Sequence, residues 1–203
     1  MPLLPNSTPK LKQLQMQIDA LPPGEILRFP AVDQDMFLVA GILVQTYSYI
    51  ELNLRRCVAI FAHAKLLSAS WARKPTTIQS GKLVEVVKDS LTRIVPEPSE
   101  LLDWNGKLDE IGLRWSMRHP FAHWALRRVP EEDYIILMTN DGREVRRLHK
   151  LSNGRHPSVL ELGQLTYALM NAADARGICE HMVSYEKWIA QKTADWFQQF
   201  VGP

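Results

Sequence analysis

The segment Arg114-Trp115-Ser116-Met117-Arg118-His119-Pro120-Phe121-Ala122-His123-Trp124 holds the residues best suited to act on a phosphodiester. A neutral imidazole can take the proton from a ribose 2′-hydroxyl, and a guanidinium, cationic at any working pH, can hold the charge that builds on the phosphorus oxygens. Arg118 and His123 are the candidate catalytic pair, and that chemistry needs no metal or other cofactor.

Spacing alone does not single this pair out. An Arg followed by a His after four to six residues also occurs at Arg56/His63, Arg114/His119, Arg143/His149 and Arg176/His181. Pro120 distinguishes the Arg118/His123 copy. In an unbroken helix, residues five apart point about 140° away from each other. Proline removes a helical hydrogen bond, clashes with the preceding turn and suits the first position of a new helix. The expectation is therefore a helix ending near Arg118 and a second beginning at Pro120, so that the two side chains converge. The new helix N-terminus would favour a bound phosphate.

Other reactive residues are sparse. Cys57 and Cys179, the only cysteines, sit in apolar stretches without CxxC or His/Cys spacing, and read as two buried thiols of a reducing compartment. His149 and His156 are too isolated for a metal site. The basic run Arg143, Arg146, Arg147 and Lys150 reads as a solvated hairpin face that could touch a phosphate backbone, and Glu131-Glu132-Asp133 reads as surface charge beside a loop. From Arg114 to Arg155 there are nine Arg or Lys against five Asp or Glu, giving +4, whereas the whole chain carries only +2. That asymmetry permits an anionic partner near this segment.

The elements that must position the pair read as mainly helical. With 46% hydrophobic and 23% charged residues, the 203-residue chain has a globular composition and the length of one domain. Leu11, Leu14, Ile18 and Leu21 give a first helix, ended by Pro22-Pro23-Gly24, and Glu25–Phe29 reads as extended. A long helix follows from about Asp33 to Ser70, with Gly41 or the Leu66–Ser70 region as places for a break. Glu51 and Arg55 on it can pair across one turn. Further helices are expected over Thr77–Ile94, over Glu100–Met117 with Ser99 as cap, and over Pro120–Arg127. Trp104, Trp115 and Trp124 read as core or dimer contacts. A hairpin is expected over 133–148, turning at Asn140-Asp141-Gly142, and two C-terminal helices over 158–200, separated near Gly177. The N-terminus lacks the pattern of a secretory signal, and the Met36–Val44 run is too short for a bilayer. The expectation is a cytoplasmic protein without a membrane partner.

Arg118-His119-x-x-x-His123 resembles the Arg-x4-6-His signature of the HEPN superfamily, helical bundles found in RNA-targeting toxins, phage-defence proteins and CRISPR-associated nucleases. Tyr49-Ile50-Glu51-Leu52-Asn53-Leu54-Arg55-Arg56 is similar to that fold's early helix, which often carries an acidic residue facing the same site. The resemblance covers 33–127 as a HEPN-like core. It departs from the family at His119-Pro120, since Asn or Asp commonly follows the Arg. It implies a mainly α fold with the β-hairpin as an insertion, and a homodimer whose two Arg118/His123 pairs face one RNA-cleaving cleft. His119, Glu51 and Arg114 are the expected substrate-binding residues, and an antitoxin or regulatory protein is a possible partner. The implied activity is a metal-independent endoribonuclease. The other class open to such a fold is a non-catalytic module binding RNA, nucleotide or a protein.

Overall fold

In the computed structural model, residues 8–22, 24–141, 143, 159–162 and 165–202 are described. The chain is mainly α-helical with a small antiparallel sheet. It divides into two compact units, Met1–Val44 with Ser116–Glu180, and Gln45–Trp115 with His181–Pro203.

In the first unit, helix α1 spans Pro9–Asp19. Thr8 caps it by accepting the Leu11 N–H, and Pro9 stands at the opening position, where no helical N–H is required. Its Leu11, Leu14 and Ile18 pack with Ile136, Met138, Tyr167 and Leu169 of the sheet. The sheet holds β1 (Ala125–Arg128), β2 (Tyr134–Thr139), β3 (Val159–Leu162) and β4 (Leu165–Asn171) in the order β1-β2-β4-β3, every pair antiparallel. Ile135 to Met138 are all buried, so β2 is covered on both faces. The first eleven residues of helix α2 (Gln34–His63) belong to this unit, and Asp33 caps that helix by accepting the Met36 N–H at 2.8 Å.

The second unit is helical among the described residues. It contains the rest of α2, the short α3 (Ala69–Ala72), α4 (Leu83–Leu91), most of α5 (Pro98–His123) and the C-terminal part of α6 (Ala172–Phe200). Tyr47, Ile50, Leu54 and Phe61 of α2, Leu83, Val86 and Val87 of α4, Leu108 and Ile111 of α5, and Ile189 of α6 are buried. Trp104 stacks on Trp196 at 4.8 Å between ring centres, and Phe61 meets Trp196 edge-on at the same distance.

Several expected elements differ. Glu25–Arg28 is a 3-10 turn, not an extended piece: Gly24 adopts φ 83°, and the turn buries Ile26. Helix α2 runs unbroken through Gly41 and stops at His63, where Lys65 takes a left-handed φ of 58° and the Leu66 N–H closes back on the Phe61 carbonyl. Two 3-10 turns, Pro75–Thr77 and Ser80–Lys82, replace the start of the helix expected from Thr77. Pro120 lies inside α5 and does not begin a new helix. It removes the hydrogen bond to the Ser116 carbonyl, and the helix ends within the next turn, where the Trp124 N–H reaches the Pro120 carbonyl.

The expected Pro120–Arg127 helix gives way at Ala125 to β1, which pairs with β2 in the register Ala125↔Met138. Both sides of β2 are taken, by β1 and β4, whereas a hairpin over 133–148 would pair it with Arg143–Leu148, which lies outside the described residues except Arg143. The expected helix from Ser158 is β3 and β4 among its described residues, and α6 passes through Gly177 without a break. Leu-Thr-Tyr-Ala-Leu-Met fits either period, and β4 is fixed by pairing with β2 from Thr166 to Asn171.

Candidate functional site

Arg118, His119 and His123 all lie in the first unit, on the last turns of α5. Phe121 and Trp124 are buried and anchor that turn, while His123 is exposed. The His119 and His123 rings, one helical turn apart, sit 4.4 Å apart at a tilt of 42°. Arg118 is half-buried, and its Nε has no hydrogen-bond partner among the described residues. Because α5 is continuous, Arg118 and His123 project about 140° apart on one helix. The convergence expected from a break at Pro120 does not occur within the chain. His123 closes a helix instead of opening one, so this end offers backbone carbonyls, not the phosphate-binding N–H groups expected of a helix start.

Glu51 and Arg114 lie in the second unit. Glu51 Oε1 accepts from Arg55 Nη2 at 2.8 Å, from Arg55 Nε at 3.1 Å and from Ser80 Oγ at 2.7 Å. Arg55 also donates to the Ile78 carbonyl at 3.2 Å and to Ser80 Oγ at 2.9 Å. These bonds give Glu51 a positioning role: through Arg55 and Ser80 it ties residues 78–80 to α2.

Arg114 is only 4% exposed, with its Nε 3.8 Å from Glu110 Oε2. Glu110 Oε2 also accepts the Tyr185 hydroxyl at 3.0 Å and lies 3.7 Å from His181 Nδ1, and the His181 and Tyr185 rings are 4.6 Å apart. Burial, reinforced by donation to the Glu110 carboxylate, pushes the Tyr185 hydroxyl up to about 12. Burial likewise holds the Tyr47 hydroxyl well above its ordinary range, with the Arg114 charge opposing. Glu110, His181 and Tyr185 were not candidates from the sequence. The Glu110/Arg114 and His181/Tyr185 spacings are each one helical turn, but nothing in the chain order announces that the two turns meet.

Both cysteines are buried and free. Cys57 lies 3.1 Å from the Thr193 hydroxyl, and burial pushes its thiol up to about 12. Among the described residues no three His, Cys, Asp or Glu are grouped to hold a metal ion. Of the basic run only Arg143 is described, its N–H donating to Asp141 at 2.8 Å, and His149 and His156 lie outside the described residues. Helix α2 has the length and apolar composition of a membrane span, although Leu43, Tyr47, Ile50 and Leu54 on it are fully buried. No protein-family model, no curated protein and no solved structure matches the chain.

Proposed function

We propose that this protein is a metal-independent endoribonuclease of HEPN type, acting on cytoplasmic RNA as a toxin or phage-defence effector held in check by a partner protein. The observation that carries the reading is the His119–His123 ring pair on the last turns of α5, with His123 exposed and Arg118 next to His119 in the chain. His123 takes the 2′-hydroxyl proton, and the freed oxygen attacks phosphorus. A proton from water goes to the departing 5′-oxygen while His119 packs against the His123 ring, so the products are a 2′,3′-cyclic phosphate and a 5′-hydroxyl. Arg118 holds the charge on the phosphorane oxygens. Helical geometry keeps Arg118 away from His123 of its own chain, so the site needs two chains, Arg118 of one protomer completing His123 of the other. The second reading, a non-catalytic module binding RNA, nucleotide or a protein, is favoured by the continuity of α5, which leaves no complete site in one chain.

The test uses purified protein and mixed RNA in chelator. Cleavage that persists there, leaves cyclic phosphate ends and disappears in Arg118→Ala and His123→Ala supports the enzyme. Equal behaviour of wild type and variants overturns it. Mixing the two inactive variants under subunit exchange then restores about a quarter of wild-type activity, since half of the dimers are mixed and each has one intact composite site. No recovery from that mixture overturns the shared site.

A further inference from the structure

We propose that the cleft between α3 and the Ser80–Lys82 turn is a binding site for single-stranded nucleic acid, with Trp71 as the base platform and Arg73, Lys74 and Lys82 as the phosphate ligands. The cleft has a volume of about 410 Å³ and is lined by Ser70, Trp71, Thr77 and Gln79 as well as these three cations. That is within the usual range for a small-molecule pocket of about 300–1,000 Å³, room for one nucleotide. The chain around it is one-sided in charge: between His63 and Val84 there are four Lys or Arg and no Asp or Glu. Lys82 bonds Glu85 at 2.7 Å, whereas Arg73 and Lys74 have no ion-pair partner among the described residues. Trp71 is half-buried and makes no ring contact among the described residues.

The walls are held before any ligand arrives. Arg55 grips the Ile78 carbonyl and Ser80, Arg93 donates to the Leu66 carbonyl at 3.2 Å, and the Trp71 N–H bonds the Ser68 carbonyl at 3.0 Å. A preformed cleft spares the ligand the cost of ordering the loop. An indole face beside uncompensated cations suits a base stacked next to its phosphates, and the hydroxyl and amide groups can bond any base edge without demanding one. A concave wall with a single aromatic suits a strand better than the flat surface of a membrane. The ligand class follows from these groups and does not depend on cleavage at His119 and His123.

The test is fluorescence anisotropy with labelled twelve-nucleotide oligouridylate, in a His123→Ala background that keeps the RNA whole. Arg73→Ala/Lys74→Ala is expected to weaken binding at least tenfold at 100 mM salt. With two phosphate contacts gone, the log–log salt slope should fall by about 1.4, at ~0.7 per contact for single strands. Trp71→Ala is expected to weaken binding between about 5-fold and 150-fold with the slope unchanged, and Trp71→Phe to recover most of the loss. The proposal is overturned if Arg73→Ala/Lys74→Ala keeps wild-type affinity and slope. It is equally overturned if the protein leaves the oligonucleotide unbound at 100 µM, or binds phosphatidylserine vesicles in its place. RNA that binds here yet is never cut by wild-type protein counts against the catalytic reading alone.

Discussion

Replacing Glu51 by alanine separates a residue that holds the fold from one that meets substrate. Glu51 Oε1 accepts from Arg55 Nε and Nη2 and from the Ser80 hydroxyl. A fully buried charge-assisted hydrogen bond is worth about 1.5–3 kcal/mol, and an exposed ion pair about 0–1 kcal/mol. Here the Glu51 side chain is 23% exposed and that of Arg55 40%, so solvent screening brings the pair to roughly 1 kcal/mol. The bond that the Ser80 hydroxyl donates to Glu51 adds about 1 kcal/mol. Arg55 keeps the Ile78 carbonyl and Ser80, which prevents a larger loss. Glu51→Ala is therefore expected to cost about 2 kcal/mol, lowering the urea midpoint by roughly 0.8 M at a slope of ~2.5 kcal/mol/M. Ser80→Ala alone should cost about 1 kcal/mol, and the double variant less than the sum of the two, because they share a bond. RNA cleavage per folded molecule should be unchanged. If Glu51→Ala proves as stable as wild type yet loses cleavage, Glu51 belongs to the reacting centre and the positioning role is wrong.

The Cys57 thiol, pushed up to about 12 by burial, should alkylate at pH 8.5 on the order of a thousandfold more slowly than a free thiol. Mass spectrometry of a Cys179→Ser variant checks this, and rapid stoichiometric labelling of the native protein would refute it. Because the Tyr185 hydroxyl is raised from 10 to about 12 in the folded state, its contribution to stability is complete below pH 10 and is lost as pH rises through 12. Urea titrations of Tyr185→Phe should show a pH dependence in that window flatter than wild type by up to about 1.4 kcal/mol per pH unit. Glu131 has a φ of 60° at the third position of a turn whose second residue is Pro130, closed by the Glu132 N–H on the Val129 carbonyl. Glycine is the residue that suits that position, so Glu131→Gly should stabilise the protein by about 1 kcal/mol in the same denaturation assay.

Much of the local structure was legible in the sequence. The three- and four-residue spacing of Leu11, Leu14 and Ile18 marks α1, and that of Tyr47, Ile50, Leu54, Val58 and Phe61 marks the buried side of α2, since helical periodicity is set by one turn of chain. Asp33 at the start of α2 and the Glu51–Arg55 pair were visible for the same reason: partners three or four apart depend on nothing distant. The mainly helical class and the candidates Arg118, His119 and His123 also came from the sequence alone. Tertiary structure decided what a local rule could not. Leu165–Asn171 became a strand because β2 offered it a full ladder of partners, and Ala125–Arg128 because the other side of β2 did. Pro120 stayed within α5 although it forfeits a helical hydrogen bond there, and that continuity, not the Arg–His spacing, fixes which of the reactive side chains can meet in one chain. The Glu110–His181–Tyr185 contacts around Arg114 join residues about seventy positions apart, and only packing puts them together.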